Sequence, residues 1–371
     1  MSPIVLLLLI LSSIALQFTA VKSIGVCYGV NGDHLPSRQE VIDLYKSYGI
    51  GGMRIYFPDE QALQALRGSN IEVLLDVAKE TLSSLSDPAS ANDWVRKFVV
   101  SYSDVNITYI AVGNEIGPSD VEAQYILPGI QNIQNAISAA NLQGKVKVST
   151  AIKMDLLENT SPPNNGKFKD SATPYIKPII AFLVNNGSPL LANVYPYFAY
   201  SDANSNIPLD YALFRQRGTN DQVYQNLFDA MLDSLYFALE KIGAQNLQVV
   251  VSESGWPSAG GDKGPSVDDA RTYYQNLINH VSVGTPKRNG PIKTYLFAMF
   301  DENQKQGAES EKHFGLFTPD KSPKYGIEFN SFTPITEARN RLFTAVGEGF
   351  RRFLTLAGGA LEASAPGSLL V

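Results

Sequence analysis

Cysteine and histidine are both scarce in this chain of 371 residues, which contains one cysteine and three histidines. Cys27 has no second cysteine with which to form a disulfide, and the apolar segment around it predicts a buried strand, so we interpret it as a core residue. The histidines are far apart, and no HExxH or Cys/His pattern occurs. The sequence therefore predicts no metal site and no cofactor, and the lack of a GxSxG elbow disfavours a serine hydrolase.

The chain also has little excess charge of either sign. Its 30 Lys and Arg residues are outnumbered by 36 Asp and Glu residues, which gives a formal net charge of -6 without any block of like charges. Nucleic-acid binding needs a basic surface, so we expect no nucleic-acid partner. Charged residues make up 18% and hydrophobic residues 44% of the chain, a composition typical of a globular protein.

The N-terminus carries a nearly unbroken apolar run from Ile4 to Leu16, followed by small and polar residues up to Ser23. This pattern predicts a secretory signal peptide over residues 1–23. A membrane anchor is disfavoured because the run is short and Gln17 and Lys22 follow it, so we expect no membrane span in the mature protein. A secretory route also agrees with three N-glycosylation sequons, which begin at Asn106, Asn159 and Asn186.

From Ile24 onward, short apolar segments alternate with longer helical patterns. Eight of the apolar segments have no polar face, as expected for parallel strands that are covered by helices. The predicted strands are 24–28, 52–57, 71–76, 108–113, 146–151, 190–195, 247–252 and 294–300. Between them, apolar stripes at helical spacing predict helices over 36–48, 119–141 and 221–242.

Eight strand-and-helix units in one chain predict an α/β protein with a single (β/α)8 TIM barrel, which we place at residues 24–332. The alternative, a doubly wound open sheet, would normally show a glycine-rich phosphate turn after the first strand, and residues 28–32 contain no GxGxxG pattern. Residues 333–371 form a C-terminal extension with an apolar stripe of its own. This extension is either a helix packed on the barrel or a sorting tail that is removed, and the sequence leaves both interpretations open.

Three of the predicted strands are followed directly by a glutamate. Glu115, Glu253 and Glu302 come after the fourth, seventh and eighth strands. Active sites in such barrels gather at the carboxyl ends of the strands, and an unpaired buried glutamate is costly. Each glutamate could form a structural ion pair at the barrel mouth, but three of them at one rim beside aromatic residues favour a sugar-binding site.

Cleavage of a glycosidic bond would explain a pair of carboxyl groups at this rim. One carboxyl must protonate the leaving oxygen, and the other must act at the anomeric carbon, either as nucleophile or as base for water. Glutamates after the fourth and seventh strands would face each other across the barrel mouth. Flat aromatic surfaces for the sugar rings are offered at strand ends by Tyr56, Tyr195, Phe198 and Trp256.

Several motifs of the chain resemble those of one known family. The segment VVVSESGWPS at 249–258 resembles the signature of glycoside hydrolase family 17, which contains the plant β-1,3-glucanases and their licheninase relatives. The segments GVCYG at 25–29, VGNE at 112–115, NVYPYF at 193–198 and FGLF at 314–317 extend the resemblance over residues 24–332. The resemblance implies a (β/α)8 barrel and hydrolysis with retention of the anomeric configuration.

The resemblance also implies roles for individual residues. By motif, Glu253 resembles the family nucleophile and Glu115 the acid/base, while Asn114 is expected to bind the sugar 2-hydroxyl. The other residues that we expect to bind or support the substrate are Tyr56, Asn193, Tyr195, Phe198, Trp256, Glu302, Lys305 and Glu311. The family often has asparagine where this chain has Asp301, a difference that puts no catalytic role in doubt.

The predicted function is therefore endo-hydrolysis of β-1,3-glucan by a monomeric enzyme, with the polysaccharide as its partner. A mixed-linkage β-1,3-1,4-glucanase is the alternative within the family. A non-catalytic glucan-binding barrel is a third possibility, but the presence of both Glu115 and Glu253 argues against it. The C-terminal extension resembles the removable vacuolar-sorting tails of some family members, so we expect the protein outside the cell, in the cell wall or in the vacuole, with a role in plant defence.

Overall fold

The computed structural model describes residues 24–215, 223–261 and 263–329. The signal peptide predicted at residues 1–23 and the C-terminal extension at 333–371 lie outside the described residues, so both stay predictions. The chain divides after Phe329 into two units, and only the first contains described residues. None of the helices in this described part is long and apolar enough to cross a membrane.

Eight parallel strands close into a barrel. They follow one another around the ring in chain order, and the eighth pairs with the first. The strands are β1 (Gly25–Tyr28), β2 (Gly52–Ile55), β3 (Glu72–Asp76), β4 (Asn106–Asn114), β5 (Lys147–Lys153), β6 (Leu190–Asn193), β7 (Val249–Ser254) and β8 (Thr294–Leu296). The predicted (β/α)8 barrel and its eight strands are therefore confirmed. A two-stranded antiparallel hairpin, Leu157–Glu158 with Lys167–Phe168, follows β5.

Helices lie between the strands. They are α1 (Arg38–Ser47), α2 (Glu60–Leu66), α3 (Pro88–Phe98), α4 (Ala123–Ala139), α5 (Thr173–Asn186), α6 (Pro196–Ser201), α7 (Leu209–Ala212), α8 (Leu227–Lys241) and α9 (Val267–His280). The helix predicted over 221–242 begins later than expected, because the Asn226 side chain caps α8 and Val223, counted in the apolar stripe, is 72% exposed. The prediction over 36–48 was closer, because Ser37 and Glu40 form a capping box before α1.

The barrel interior is filled by side chains from its strands. Every residue of β1, β2 and β7 is buried, in agreement with strands that are covered on both faces. Gly25 and Gly52 leave room for the ring of Tyr295, since a Cβ added to Gly25 would lie 2.3 Å from Tyr295 Cδ1. The closely packed interior holds the strand ends in place, and these strand ends carry the polar residues of the candidate site.

The chain after β8 returns to the carboxyl end of the barrel. The Ala298 N–H donates to the Phe314 carbonyl at 3.0 Å, and the Leu316 N–H donates to the Ala298 carbonyl at 2.9 Å. These hydrogen bonds hold the segment around Phe314 against the end of β8. A 3-10 turn, Glu309–Lys312, precedes this segment and brings further charged residues to the same end of the barrel.

Candidate active site

A cavity of about 460 Å³ opens at the carboxyl end of the barrel. The residues that line it come from strand ends around the ring and from the segment after β8. They are Tyr28, Gly29, Val30, Asn31, Tyr56, Phe57, Asn114, Glu115, Tyr195, Phe198, Glu253, Phe297, Glu302, Lys305, Glu311 and Phe314. All the site residues predicted from the sequence line this cavity except Asn193 and Trp256.

Glu115 is turned into the cavity by an irregular end of β4. The register between β4 and β5 shifts between Ala111 and Asn114, and within this bulge Gly113 has a positive φ of 88°. Glu115 itself has φ 57°, a left-handed conformation that is strained for a residue with a side chain and that recurs at functional sites. Its N–H donates to the Ala151 carbonyl at 2.8 Å. The bulge thus allows two consecutive residues, Asn114 and Glu115, to line the same cavity.

Glu253 lies at the end of β7 and is only 6% exposed. Its Oε1 accepts hydrogen bonds from Arg54 Nη1 and from the Tyr56 hydroxyl, each at 2.8 Å. The Tyr195 hydroxyl donates to the other oxygen, Oε2, at 2.7 Å. Burial raises the pKa of both tyrosines, so their hydroxyls keep their protons as donors. Three donors therefore stabilise the negative charge on Glu253 and fix its orientation.

Arg54 was not among the residues predicted from the sequence, although it organises the site. It is fully buried in β2 and forms a bidentate ion pair with Asp76 at the end of β3, in which Nη2 lies 2.7 Å from Oδ2. The same guanidinium donates to Glu253, and its Nη2 also donates to Asn114 Oδ1 at 2.9 Å. Arg54 thus connects the ends of β2, β3, β4 and β7. An arginine within an apolar strand was a signal in the sequence that pointed to a buried acidic partner.

Asn193 joins the two catalytic candidates, although it is almost fully buried. Its Nδ2 donates to Glu115 Oε1 at 2.9 Å and to Asn114 Oδ1 at 3.0 Å. Its Oδ1 accepts from Arg54 Nη1 at 3.2 Å, and the same nitrogen holds Glu253. Asn193 therefore positions both glutamates from below the cavity. The buried position of Asn193 agrees with the expected supporting role and not with direct contact to the substrate.

The environment of Glu115 favours its protonated form. Burial and the nearby negative charge of Glu253 raise the pKa of Glu115, and they outweigh the opposing effect of the Asn193 hydrogen bond. A carboxyl group with a raised pKa keeps its proton into the pH range where an ordinary glutamate has lost it. Glu115 therefore has the properties of a general acid, while the three donors around Glu253 suit a carboxylate that acts in its charged form.

We expect the substitution Glu253→Gln to lower the pKa of Glu115. The neutral amide removes the like charge that disfavours ionisation of Glu115, while the effect of burial remains, so the pKa falls toward its ordinary value. The titration of ¹³C-labelled glutamate carboxyl groups by NMR measures this shift, and the Glu115→Gln variant assigns the signal. An unchanged or higher pKa would show that Glu253 does not act electrostatically on Glu115.

Glu302, Lys305 and Glu311 form a charged group on the β8 side of the cavity. Lys305 Nζ lies 2.9 Å from Glu311 Oε2, so its direct partner is Glu311. Burial alone would lower the pKa of Lys305, but the Glu311 hydrogen bond and the charges of Glu311, Glu302 and Glu253 raise it. Glu302 is buried beside Gly29, where a Cβ would lie 2.2 Å from Glu302 Oε1. Lys305 is thus paired directly with Glu311 and lies within the electrostatic influence of Glu302 and Glu253.

We expect Lys305→Met to lower turnover much more than stability. Its ammonium lies among three carboxyl groups of the cavity, so its loss raises the cost of keeping them ionised during the reaction. Methionine keeps an unbranched apolar side chain but loses the ammonium, which lies 4.7 Å from the centroid of the Phe297 ring. Kinetics on a glucan and a thermal melt measure the two effects. Proportionate losses in turnover and stability would assign Lys305 a structural role only.

The expectation that Trp256 binds sugar is wrong for this structure. Trp256 has no exposed surface, and its Nε1 donates to the Gly264 carbonyl at 3.1 Å. Its ring packs against Tyr197, with centroids 5.2 Å apart, and against Tyr273 at 5.4 Å. Its side chain turns into the packing behind the cavity. Phe198, in contrast, lines the cavity and is 41% exposed.

Sequence reasoning also missed several aromatic residues of the cavity. Phe57, Phe297 and Phe314 line it, and the rings of Phe297 and Phe314 contact each other with centroids 5.6 Å apart. Phe57 follows Tyr56 directly, which was the available signal. Phe314 belongs to a motif that was used only for the family resemblance, and its place beside β8 depends on contacts between distant parts of the chain.

Known proteins resemble this chain in both sequence and structure. A glucan endo-1,3-β-glucosidase of Vitis vinifera is 58% identical over 318 residues, which cover 83% of this chain and 92% of that protein. An acidic glucan endo-1,3-β-glucosidase isoform of Nicotiana tabacum is 52% identical over 322 residues, 85% of this chain and 94% of that protein.

Solved structures with the same barrel include a β-1,3-glucanase and allergen of Cryptomeria japonica pollen. It superposes with a TM-score of 0.80 at 46% identity and covers 83% of this chain and 99% of its own. A second solved structure belongs to a pair of plant β-glucan endohydrolases with distinct substrate specificities. It superposes with a TM-score of 0.79 at 41% identity and covers 82% of this chain and 100% of that chain. The family model of the glycosyl hydrolases family 17 matches residues 24–329, which span all eight strands and the whole cavity. The chain therefore belongs to glycosyl hydrolase family 17 and is an enzyme of that family.

Proposed function

We propose that this enzyme is an endo-β-1,3-glucanase that cleaves its substrate with Glu115 and Glu253 and with retention of configuration. The observation that carries the proposal is a cavity that contains two glutamates in different environments. The pKa of Glu115 is raised, whereas Glu253 accepts hydrogen bonds from three donors. The exposed side chains of Phe57 and Phe198 at the rim show that the cavity is open to solvent. An open site can admit a polysaccharide from the side, as an endo-acting enzyme requires.

In the proposed mechanism, Glu115 protonates the glycosidic oxygen while Glu253 attacks the anomeric carbon. The bond to the leaving oxygen breaks, and the sugar becomes an ester of Glu253. Glu115, now a carboxylate, takes a proton from water, whose oxygen attacks the same carbon and releases Glu253. Two displacements at one carbon restore the original configuration. This mechanism requires the two carboxyl groups to lie about 5–5.5 Å apart.

Asn114 supports the first step in this proposal. Its Oδ1 already accepts hydrogen bonds from Arg54 and Asn193, so the amide group has a fixed orientation. The side chain lines the cavity next to Glu115, where its Nδ2 can donate to the sugar 2-hydroxyl. Hydrogen bonds to this hydroxyl strengthen in the transition state of glycoside cleavage.

The β-1,3 linkage is supported by the names of the relatives, several of which are glucan endo-1,3-β-glucosidases at about half identity or more. Hydrolysis of mixed-linkage β-1,3-1,4-glucan is the second candidate. It is retained as a candidate because one similar solved structure comes from a pair of plant β-glucan endohydrolases with distinct substrate specificities. The catalytic glutamates are expected to be common to both activities.

Reducing-sugar assays on laminarin and on barley-type mixed-linkage glucan test the proposed function. We expect the wild-type enzyme to cleave laminarin faster and to produce a series of oligosaccharides, as internal cleavage does. The Glu253→Gln variant serves as the matched control, because the amide fills the same space. Faster cleavage of mixed-linkage glucan would favour the second candidate, and binding without hydrolysis of either polymer would favour a non-catalytic barrel.

The enzyme is further proposed to enter the secretory pathway as a monomer and to reach the extracellular space, the cell wall or the vacuole. The start of β1 at Gly25, shortly after the predicted signal peptide, is compatible with cleavage near Ser23. We expect the mature protein to begin close to Ile24. The intact mass of protein from a plant host tests this expectation, and recovery of a chain that retains Met1 would contradict secretion.

A further inference from the structure

Two exposed phenylalanines stand on opposite sides of the active-site cavity. Phe57 follows β2 and is 37% exposed, while Phe198 lies in α6, after β6, and is 41% exposed. Both line the cavity. In the closed ring of eight strands, β2 and β6 are four positions apart in either direction, so they are diametrically opposed. Glu115 and Glu253 lie at the ends of β4 and β7, one in each half of the ring between the two phenylalanines.

The other aromatic rings of the cavity support one another. The ring of Phe297 contacts Tyr56 at a centroid distance of 6.5 Å and Tyr195 at 6.2 Å. The ring of Phe198 packs against the ring of Tyr195, with centroids 5.2 Å apart. This contact holds Phe198 in place while the rest of its side chain stays exposed. Phe57, in contrast, forms no ring pair with any aromatic residue in the described part of the chain. Its apolar ring is free to contact a ligand in the cavity.

Phe57 is adjacent in the chain to a residue that contacts Glu253. It is the residue after Tyr56, whose hydroxyl donates to Glu253 at 2.8 Å. The polar and charged groups of the site surround the two glutamates, whereas the flat apolar surfaces lie at the rim. A sugar ring offers an apolar face of C–H groups, which suits such an aromatic surface. The rim residues are therefore suited to the sugars that flank the reacting one.

We propose that Phe57 is a substrate-binding residue and that the glucan chain crosses the barrel mouth from Phe57 to Phe198, with these residues on opposite sides of the cleaved bond. The inference rests on the proposed function, because it concerns the glucan that the two glutamates cleave. The two phenylalanines together select which bond of an oligosaccharide is placed over Glu115 and Glu253.

The position of cleavage in a short oligosaccharide tests this arrangement. Laminarihexaose labelled with ¹⁸O at its reducing end can bind in several registers, and mass spectrometry of the early products shows which bond each register exposes. Loss of an aromatic surface on one side favours registers that place more sugars on the other side. We therefore expect Phe57→Ala to move the preferred bond toward one end of the hexaose and Phe198→Ala to move it toward the other end.

The affinity of each variant provides a second readout. We expect kcat/KM for the hexaose to fall about threefold to tenfold in Phe57→Ala, mainly through KM, which corresponds to the loss of one aromatic contact. Phe57→Trp retains a flat ring and should keep the wild-type products, whereas Phe57→Leu retains apolar volume without the ring and should resemble the alanine variant. Val184→Ala, at a residue of α5 that is 47% exposed and absent from the cavity lining, should change nothing.

The results separate this inference from the proposed function. If the wild-type enzyme cleaves the hexaose but Phe57→Ala leaves the products and KM unchanged, Phe57 binds no sugar and the inference fails alone. Shifts of both alanine variants toward the same end would place the two residues on one side of the bond and would also overturn it. If the wild-type enzyme does not cleave laminarihexaose, the proposed function fails, and the inference fails with it.

Discussion

Alanine at Glu115 or Glu253 is expected to abolish most of the hydrolysis of β-1,3-glucan. We expect kcat to fall roughly 10²–10⁴-fold in Glu115→Ala, which loses general acid and base catalysis. A loss of roughly 10⁴-fold or more is expected in Glu253→Ala, because no covalent intermediate can form. Glu309→Ala is the matched control, since Glu309 is an exposed glutamate that pairs with Lys312 and does not line the cavity.

The two variants should differ when azide is added to an activated aryl β-glycoside. The good leaving group of this substrate needs little protonation, so Glu115→Ala still forms the glycosyl-enzyme. Azide then attacks this ester without help from a base and gives a β-glycosyl azide. In Glu253→Ala, azide occupies the space of the missing carboxylate and displaces the leaving group directly, which gives an α-glycosyl azide. NMR of the products distinguishes the two configurations.

Exchanged configurations would show that the roles of the two glutamates are reversed, although the pair itself would stand. Failure of azide to restore turnover in either variant would argue against the proposed double displacement. A thermal melt of both variants is needed beside the kinetics, because Glu253 is a direct partner of the buried Arg54. Glu253→Gln replaces the carboxylate with an amide of the same size. It therefore tests the role of Glu253 with less disturbance of Arg54 than alanine causes.

Replacement of Arg54 is the second change with a large expected effect. Arg54→Met leaves Asp76 as a buried acid without its bidentate partner, and breaking such a pair costs about 3–5 kcal/mol of unfolding free energy. The same change removes a donor from Glu253 and from Asn114. Burial raises the pKa of Asp76 to about 6 even in the presence of Arg54, which shows how unfavourable a charge is at this place. We expect both stability and turnover to fall.

A double variant separates the two effects. Arg54→Met with Asp76→Asn removes the unpaired acid, so much of the lost stability should return. Turnover should stay on the order of 10²-fold below wild type, because Glu253 still lacks its charged donor and preorganised charge stabilisation contributes this much or more. Chemical denaturation measures the first quantity and kinetics on laminarin the second. Wild-type turnover in the double variant would assign Arg54 to folding alone.

The fold was predictable because the pattern that specifies it is local. The eight strand segments are mostly apolar, and every residue of β1, β2 and β7 is buried, as expected for strands that helices cover. The ends of elements were less predictable, since they depend on single side chains. The start of α8 is set by Asn226, whereas the apolar stripe had suggested an earlier start.

Position at the strand ends identified three candidate glutamates, and the family resemblance selected Glu115 and Glu253 among them. A glutamate at the end of a barrel strand must face the mouth or pair with a buried charge. Glu115 and Glu253 both line the cavity at the mouth, and Glu253 also pairs with the buried Arg54. The roles of Arg54 and Asn193 were not predictable in the same way. Each acts through hydrogen bonds to several other strands, and these partners are distant in the chain.

Trp256 and Asp301 show why the direction of a side chain cannot be read from its neighbours in sequence. Trp256 lies only three residues after Glu253, yet it packs behind the cavity and not in it. Asp301 precedes Glu302, yet its carboxylate pairs with Lys324 at 2.7 Å and accepts the Gly315 N–H at 2.8 Å. The negative charge of Asp301 is thus balanced locally, so it adds little charge to the cavity.

The configuration of the first product tests the central claim most directly, because retention requires a double displacement by a nucleophile and an acid/base. Laminarin hydrolysis can be followed by ¹H NMR in the first minutes, before the new reducing ends equilibrate between anomers. The double displacement by Glu253 and Glu115 predicts that the β-anomer appears first and that the α-anomer follows only by mutarotation. Initial release of the α-anomer would contradict the account, since it would require a single displacement by water.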